Sequence, residues 1–140
     1  MAVPYVACMA LIASFYHLPP RVLPAIHAVE GGFVGSVHRN ADTSEDYGVM
    51  QVNTRWIVPL ARVTRMSPEA VRVRLIMDPC FNIAAAGAIL RQYLIETRGD
   101  LMAAIGFYHS HTLPLGRKYR EQVLRSAKIM FDTPPPRPSH

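Results

Sequence analysis

What this chain has little of already narrows what it can be. It holds only two cysteines, Cys8 and Cys80, and no Cys-x-x-Cys pair. Its six histidines show no ligand spacing beyond His109 and His111, so no metal site is expected. Aromatic residues are 9% of the chain, with a single tryptophan, Trp56, and the apolar half is mostly Ala, Leu, Ile, Val and Met, which favours helix over sheet. No apolar run approaches the roughly 20 residues that span a bilayer, so no transmembrane segment is expected. Acidic residues number 10 against 15 Lys and Arg, for a net charge of +5. That balance points to an anionic partner such as cell-wall polymer, nucleic acid or acidic lipid. The basic residues are scattered and form no consecutive block, which argues against nucleic acid. There is no internal repeat.

At 140 residues the chain fits one domain able to bury a core. A first helix is expected over residues 3–16, ended by His17-Leu18-Pro19-Pro20, because a residue before proline disfavours the helical region. A second is expected over 21–30, with Gly31 and Gly32 supplying the positive-φ stop. Residues 32–46 are rich in Gly, Ser, Asn, Asp and Thr and read as a loop or small irregular hairpin. Asn53 caps a helix carrying Trp56, Ile57 and Leu60, with Pro59 as a distortion in its first two turns. Ser67-Pro68 and Asp78-Pro79 are each an N-cap followed by proline at the first helical position. They open a short helix to about residue 76 and a long one to about 98, stopped by Gly99. Ile83, Ala86, Gly87, Leu90 and Leu94 recur there at helical spacing, as a core stripe does. Two more helices are expected over 101–108 and 116–131. The fold class is all-α, with a minimal or absent β-hairpin. The domain spans 1–132, and residues 133–140 form a Pro-rich flexible tail.

The start of the chain, MAVPYVACMALIASFY, contains Val6-Ala7-Cys8, superficially like a lipoprotein cleavage site. It lacks a basic leading region and a hydrophobic run before the cysteine, and Pro4 interrupts it. It reads as the first core helix of a mature domain, with any export signal outside these residues. Cys8 and Cys80 on their own read either as buried free thiols or as a pair.

The chemistry concentrates at Glu30. It ends the apolar run VLPAIHAVE, is followed by Gly31 and Gly32, and precedes the polar stretch SVHRNADTSED and then YGVMQVN. A carboxyl group at the end of an apolar helix is poorly solvated, so its neutral form is favoured and its pKa rises. A general acid acting on a glycosidic oxygen needs that property. A solvated helix-end glutamate is the other reading of the same spacing.

The stretch AIHAVEGGFVGSVHRNADTSEDYGVMQVNTRW, residues 25–56, resembles the lysozyme-like superfamily. It is most similar to the SLT-type lytic transglycosylases of the branch associated with secretion and conjugation. In that family a Glu ends a helix and a Gly-hydrophobic-Met-Gln segment floors the sugar cleft; here these are Glu30 and Gly48-Val49-Met50-Gln51. DPCFNIAAAGAIL at 78–90 and AIGFYHSHT at 104–112, with Tyr119 and Val123 after it, match the same branch. The resemblance therefore covers about residues 8–123. Two departures stand out: Gly31 occupies a place where Ser is common, and His109 one where many members have Asn.

The resemblance implies an α+β lysozyme-like domain with a cleft beside Glu30, which acts as acid and then as base. It implies Gly48, Met50, Gln51, Tyr108 and His109 as substrate-binding residues. It also implies a Cys8–Cys80 disulfide, which requires an oxidising, exported compartment, periplasmic or wall-associated. Peptidoglycan glycan strands are the implied substrate, secretion or conjugation machinery the implied partner, and no cofactor is needed. Asp46 complicates this reading, because the same stretch resembles C-type lysozymes in which an Asp just before Tyr-Gly is the second catalytic carboxylate. A muramidase using Glu30 with Asp46 therefore stays open beside the transglycosylase, as does an Asp46 that only orders its loop through an Asx-type bond. A third reading is a non-catalytic wall-binding assembly module.

Overall fold

The computed structural model describes residues 5–109 and 113–131. Seven α-helices lie among them: α1 (Val6–Phe15), α2 (Val22–Glu30), α3 (Ile57–Thr64), α4 (Pro68–Met77), α5 (Pro79–Glu96), α6 (Leu101–His109) and α7 (Leu113–Phe131). Three short strands, β1 (Val37–Arg39), β2 (Glu45–Tyr47) and β3 (Val52–Asn53), pair antiparallel in that order. The result is an α+β lysozyme-like domain whose core is helical and whose small sheet walls a cleft. The tail at 133–140 and His111 lie outside the described residues.

The long helix α5 is the axis. Ile83, Ala86 and Leu90 are fully buried, and Asn82, Ala85, Ile89 and Tyr93 on its other sides are buried too, as expected of a central helix. Helix α1 lies along it. A Cβ at Gly87 would collide with Ile12, so the glycine permits close packing. At one end the Cys8–Cys80 disulfide joins the two helices, with Cα atoms 5.5 Å apart. At the other, the Arg91 guanidinium donates to the carbonyls of Tyr16, at 2.9 and 2.7 Å, and His17, at 3.1 Å, which satisfies the open C-terminal carbonyls of α1.

The helix boundaries follow the expected signals in most places. Gly31 adopts φ 69° and stops α2, its N–H bonding the His27 carbonyl. Ser67 and Asp78 cap α4 and α5 through their side chains, each with proline next. Three details differ. Asn53 caps a 3-10 turn, Thr54–Trp56, and α3 follows separately, which leaves Pro59 in a first turn where no helical bond is lost. Helix α7 starts at Leu113, so Gly116 lies inside it; a Cβ on Gly106 of α6 would sit 3.1 Å from the Gly116 carbonyl, and the two glycines let the helices touch. The segment expected to end as a loop at residue 46 continues into a third strand.

The strand register sorts the sheet. Val37 pairs with Tyr47, and Tyr47 with Val52, while His38 pairs with Asp46, and Asp46 with Asn53. Successive residues alternate faces, so Tyr47 and Val52 go to the core while His38, Asp46 and Asn53 share the opposite face.

One polar side chain holds sheet and helix together. Asn82 of α5 is wholly buried and uses its amide three times. Nδ2 donates to the Tyr47 carbonyl at 2.7 Å and the Leu75 carbonyl at 2.8 Å, and Oδ1 accepts from the Met50 N–H at 2.8 Å. Replacing Asn82 by Ala orphans three buried backbone groups, each costing about 1–3 kcal/mol. Asn82→Ala should therefore lower stability by at least about 3 kcal/mol in urea unfolding; a loss below about 1 kcal/mol would remove Asn82 from this role. Reducing the disulfide, which closes a separation of 72 residues, should cost about 4 kcal/mol on the chain-entropy account. Thermal unfolding with and without reductant reads that loss directly.

Candidate active site

Glu30, Asp46, Gln51, Tyr108 and His109 line one open polar cleft together with Asn40, Asp42, Ser44, Asn53, Arg55 and Trp56. They come from three parts of the chain: the end of α2, the sheet with the turn after it, and the end of α6. Glu30 is the last residue of α2, because Gly31 and Gly32 follow it. Gly31 turns the backbone, and Gly32 has a different task. A Cβ there would clash with the Gly48 carbonyl and lie 2.6 Å from that of Val49. Only glycine lets the end of α2 press against the 48–51 turn, and this contact sets the carboxyl beside that turn.

Burial is the main reason that the Glu30 carboxyl is pushed up to about 7. The Tyr119 hydroxyl pulls it down, and the Asp46 charge adds a smaller upward push. Tyr119, on α7, is 4% exposed and has no hydrogen-bond partner of full geometry among the described residues. Its hydroxyl therefore stands near the carboxyl as a loose polar contact instead of a formed bond. Burial and the Glu30 charge both raise the pKa of Tyr119, so it stays a donor at any working pH.

Asp46 sits on the cleft face of β2, and both its oxygens are occupied. Asn53 Nδ2 donates to Oδ1 at 2.8 Å and Asn40 Nδ2 to Oδ2 at 3.2 Å. Asn53 also uses its carbonyl to cap the 3-10 turn through the Arg55 N–H at 3.0 Å. The Asx-type bond expected of Asp46 belongs instead to Asp42, whose Oδ1 accepts from the Ser44 N–H at 3.0 Å and the Ser44 hydroxyl at 2.6 Å. Those bonds lower the Asp42 pKa.

The GVMQ turn is arranged differently from expectation. The Met50 side chain is wholly buried, and Gly48 packs against Leu75 and Asn82, so neither residue lines the groove. Gly48 is required by its φ of 68° and by that contact, where a Cβ would be 2.6 Å from the Asn82 amide nitrogen. Met50 contributes through its backbone, its carbonyl accepting from the Tyr108 hydroxyl at 2.9 Å. Tyr108 is thereby tied to the turn and not to Glu30. Its own pKa rises, chiefly through burial and then through Glu30. Gln51 has φ 53° and donates both amide hydrogens to protein, to Ser36 Oγ at 3.2 Å and the Gly48 carbonyl at 3.0 Å. It can offer a ligand its carbonyl oxygen but not an N–H.

His109 ends α6, stays open to solvent on one side and stacks on the Tyr119 ring, with centroids 4.7 Å apart and planes at 10°. Burial lowers its pKa, against a smaller upward push from Asp46. Trp56 meets Tyr93 edge to face at 5.9 Å. Sequence reading did not single out Trp56, Asn40, Ser44, Asp42 or Arg55 for the cleft, nor Tyr119 for the carboxyl. The sheet register would have exposed the first group, and the burial of Tyr119 with Val123 one turn on would have shown that α7 faces inward there.

A part-buried acid and a second carboxylate thus line one polar cleft on a lysozyme-like frame. The profile of the transglycosylase SLT domain family matches residues 8–131, and the chain belongs to that family. Among similar proteins, protein IpgF of Shigella flexneri is 34% identical over 123 residues, covering 84% of this chain and 77% of its own. The invasion protein IagB of Salmonella typhimurium is 24% identical over 119 residues, covering 84% of this chain and 71% of its own. No single helix among the described residues is long and apolar enough to cross a membrane.

The raised acid carries a stability cost with a definite sign. Between the ordinary carboxyl pKa of 4.5 and about 7, the unfolded chain has released the Glu30 proton while the folded chain keeps it, so stability falls as pH rises through that window. The full effect is about 3 kcal/mol. Glu30→Gln should therefore be nearly neutral at pH 4 and stabilise the fold by up to about 3 kcal/mol at pH 8. Denaturant midpoints of both proteins at the two pH values measure the difference; equal gaps would place Glu30 in solvent.

Proposed function

We propose that this domain is a peptidoglycan lytic transglycosylase that cleaves the β-1,4 bond between N-acetylmuramic acid and N-acetylglucosamine, with Glu30 as both acid and base. The observation that carries this reading is a part-buried carboxyl held near pKa 7 at a polar cleft, since such a group can both give and take a proton at neutral pH. Neutral Glu30 gives its proton to the glycosidic oxygen as the bond from the muramoyl anomeric carbon breaks. The N-acetyl oxygen of the same sugar supports that carbon. Glu30 carboxylate then takes the proton of the C6 hydroxyl, whose oxygen closes on the anomeric carbon and leaves a 1,6-anhydro end. No water is consumed. The side-chain carbonyls of Gln51 and Asn40 suit the hydroxyls of a sugar as acceptors, and Trp56 presents an aromatic surface.

A second reading, a muramidase that hydrolyses the same bond, is favoured by one observation: Asp46 lies in the cleft and its charge acts on Glu30. Against it, both Asp46 oxygens already hold amide partners, which suits a fixed strut better than a nucleophile. A non-catalytic wall-binding module has no use for an acid held in its neutral form at a stability cost. The match to a protein named for invasion supports placing the activity in the periplasm, in local wall opening for a secretion or conjugation apparatus.

Mass spectrometry of fragments released from purified sacculi separates these readings. The expected product is one water lighter than the hydrolytic one. Glu30→Gln should lower release at least about a hundredfold. Asp46→Asn should stay within about tenfold of wild type and give the same anhydro product. A reducing-end product from the wild type would establish the muramidase instead, and no release at all would favour the binding module.

A further inference from the structure

The face of the His109 ring is used before any ligand arrives. Its imidazole lies parallel on the Tyr119 ring, with centroids 4.7 Å apart and an interplanar angle of 10°. Tyr119 in turn stands against the Glu30 carboxyl with a hydroxyl that is buried yet lacks a partner of full hydrogen-bond geometry among the described residues. Parallel aromatic rings at that separation attract and hold one another in plane. The three residues come from three helices: Glu30 closes α2, His109 closes α6 and Tyr119 lies in α7. Nothing local in the chain fixes their mutual placement, so the stack is a tertiary device linking the ends of two helices to the middle of a third.

We propose that His109 is a positioning residue that, through the face of its ring, clamps Tyr119 over the Glu30 carboxyl and shields that carboxyl from water. The inference deepens the transglycosylase reading and rests on it for its kinetic arm alone. A loosely seated Tyr119 hydroxyl is in place to donate to Glu30 once the carboxyl has given up its proton, because a carboxylate is the stronger acceptor. The clamp keeps that donor from swinging away and keeps solvent from replacing it. The groups around Glu30 are Asp46 of β2, Tyr108 and His109 of α6 and Tyr119 of α7, with His27 one turn back on α2, where its Nε2 pairs with the Gly32 carbonyl at 3.0 Å. Among them the His109 ring is the one that lies flat on Tyr119. Burial lowers the His109 pKa, so the imidazole is neutral at neutral pH and acts by its surface, not its charge. Phenylalanine has a comparable face and no titration, whereas alanine has neither.

The test is a pair of variants read in two ways, one of which needs no substrate. In the ligand-free protein, carbon NMR follows the titration of the Glu30 side-chain carboxyl. His109→Ala should move its midpoint down by about one pH unit, towards the ordinary carboxyl value, because relief of burial, the largest influence on Glu30, outweighs the loss of the Tyr119 donor that lowers the same pKa. His109→Phe should hold it within about 0.3 unit of wild type. In sacculus digestion, His109→Ala should lower kcat about tenfold with KM changed less than threefold, and His109→Phe should recover at least a third of wild-type kcat. Thermal unfolding checks that both variants keep the fold. An unchanged Glu30 midpoint in a folded His109→Ala protein overturns the clamp, and so does a Phe variant that titrates like the Ala one. If the wild type releases no fragments, the transglycosylase reading falls, while the titration still decides the clamp.

Discussion

The rest of the domain depends on a single buried amide. Asn82 sits inside α5 with no access to water, so each of its hydrogen bonds must be made within the protein or be lost at full cost. It makes three, to the backbone of residues 47, 50 and 75, and thereby fixes the 48–51 turn and the end of α4 to the central helix. The turn then positions the site. The Met50 carbonyl receives Tyr108, the Gln51 amide ties down Ser36, and the carbonyls of Gly48 and Val49 press on Gly32. Glu30 is two residues before Gly32. The position of the acid is thus traceable, contact by contact, to one side chain on the opposite side of the core.

The site combines several departures from low-energy habits. Gln51 holds a left-handed backbone without being glycine, the Tyr119 hydroxyl is buried without a bond among the described residues, and Glu30 carries a proton that it would shed in water. These features lie together around the cleft. Away from it, the Cys8–Cys80 link and the Arg91 cap hold α1 to α5 at both ends, and the N-caps of α4 and α5 are satisfied. A rigid frame of this sort can over-determine a strained cluster, so that unfavourable local states persist as the only arrangement compatible with the surrounding packing.

How much of this was readable from residues alone follows from the range of the forces involved. Proline, glycine and capping signals act within a few residues, and they marked the ends of α2, α4 and α5 correctly. The catalytic candidate was legible for a related reason: an acidic group at the end of an apolar run is a local anomaly. The disulfide followed from resemblance, since composition left the cysteines undecided, while the turn-rich stretch 32–46 read as a loop or small hairpin from its own residues. The third strand was missed because Val52 and Asn53 are too few to show alternation. Gly116 was read as a helix start because a glycine that permits close helix contact looks, in one dimension, like a boundary. Gly48 and Met50 were assigned to the substrate because sequence cannot tell a residue that faces a cleft from one that supports it by its backbone. The Asp46 environment required the register, and the Tyr119 contact required the packing of α7 against α2. Neither leaves a short-range trace.

The charge pattern gives the cleft its remaining character. The protein is basic overall, and α7 carries Arg117, Lys118, Arg120, Arg125 and Lys128 against one acid, Glu121. The cleft runs the other way, with Glu30, Asp42 and Asp46 facing Arg55 and His109. An acidic pocket in a basic body divides a mixed substrate by its own chemistry. On the proposed function, uncharged sugar rings enter such a pocket without electrostatic penalty, whereas carboxylate-bearing groups attached to a glycan are repelled from it. The same arrangement protects the acid. A cation lodged beside Glu30 would favour its ionised form and undo what burial achieves, and a neighbouring carboxylate does the reverse. Asp46, fixed by two amides and pushing the Glu30 pKa upward, therefore helps to keep the proton in place.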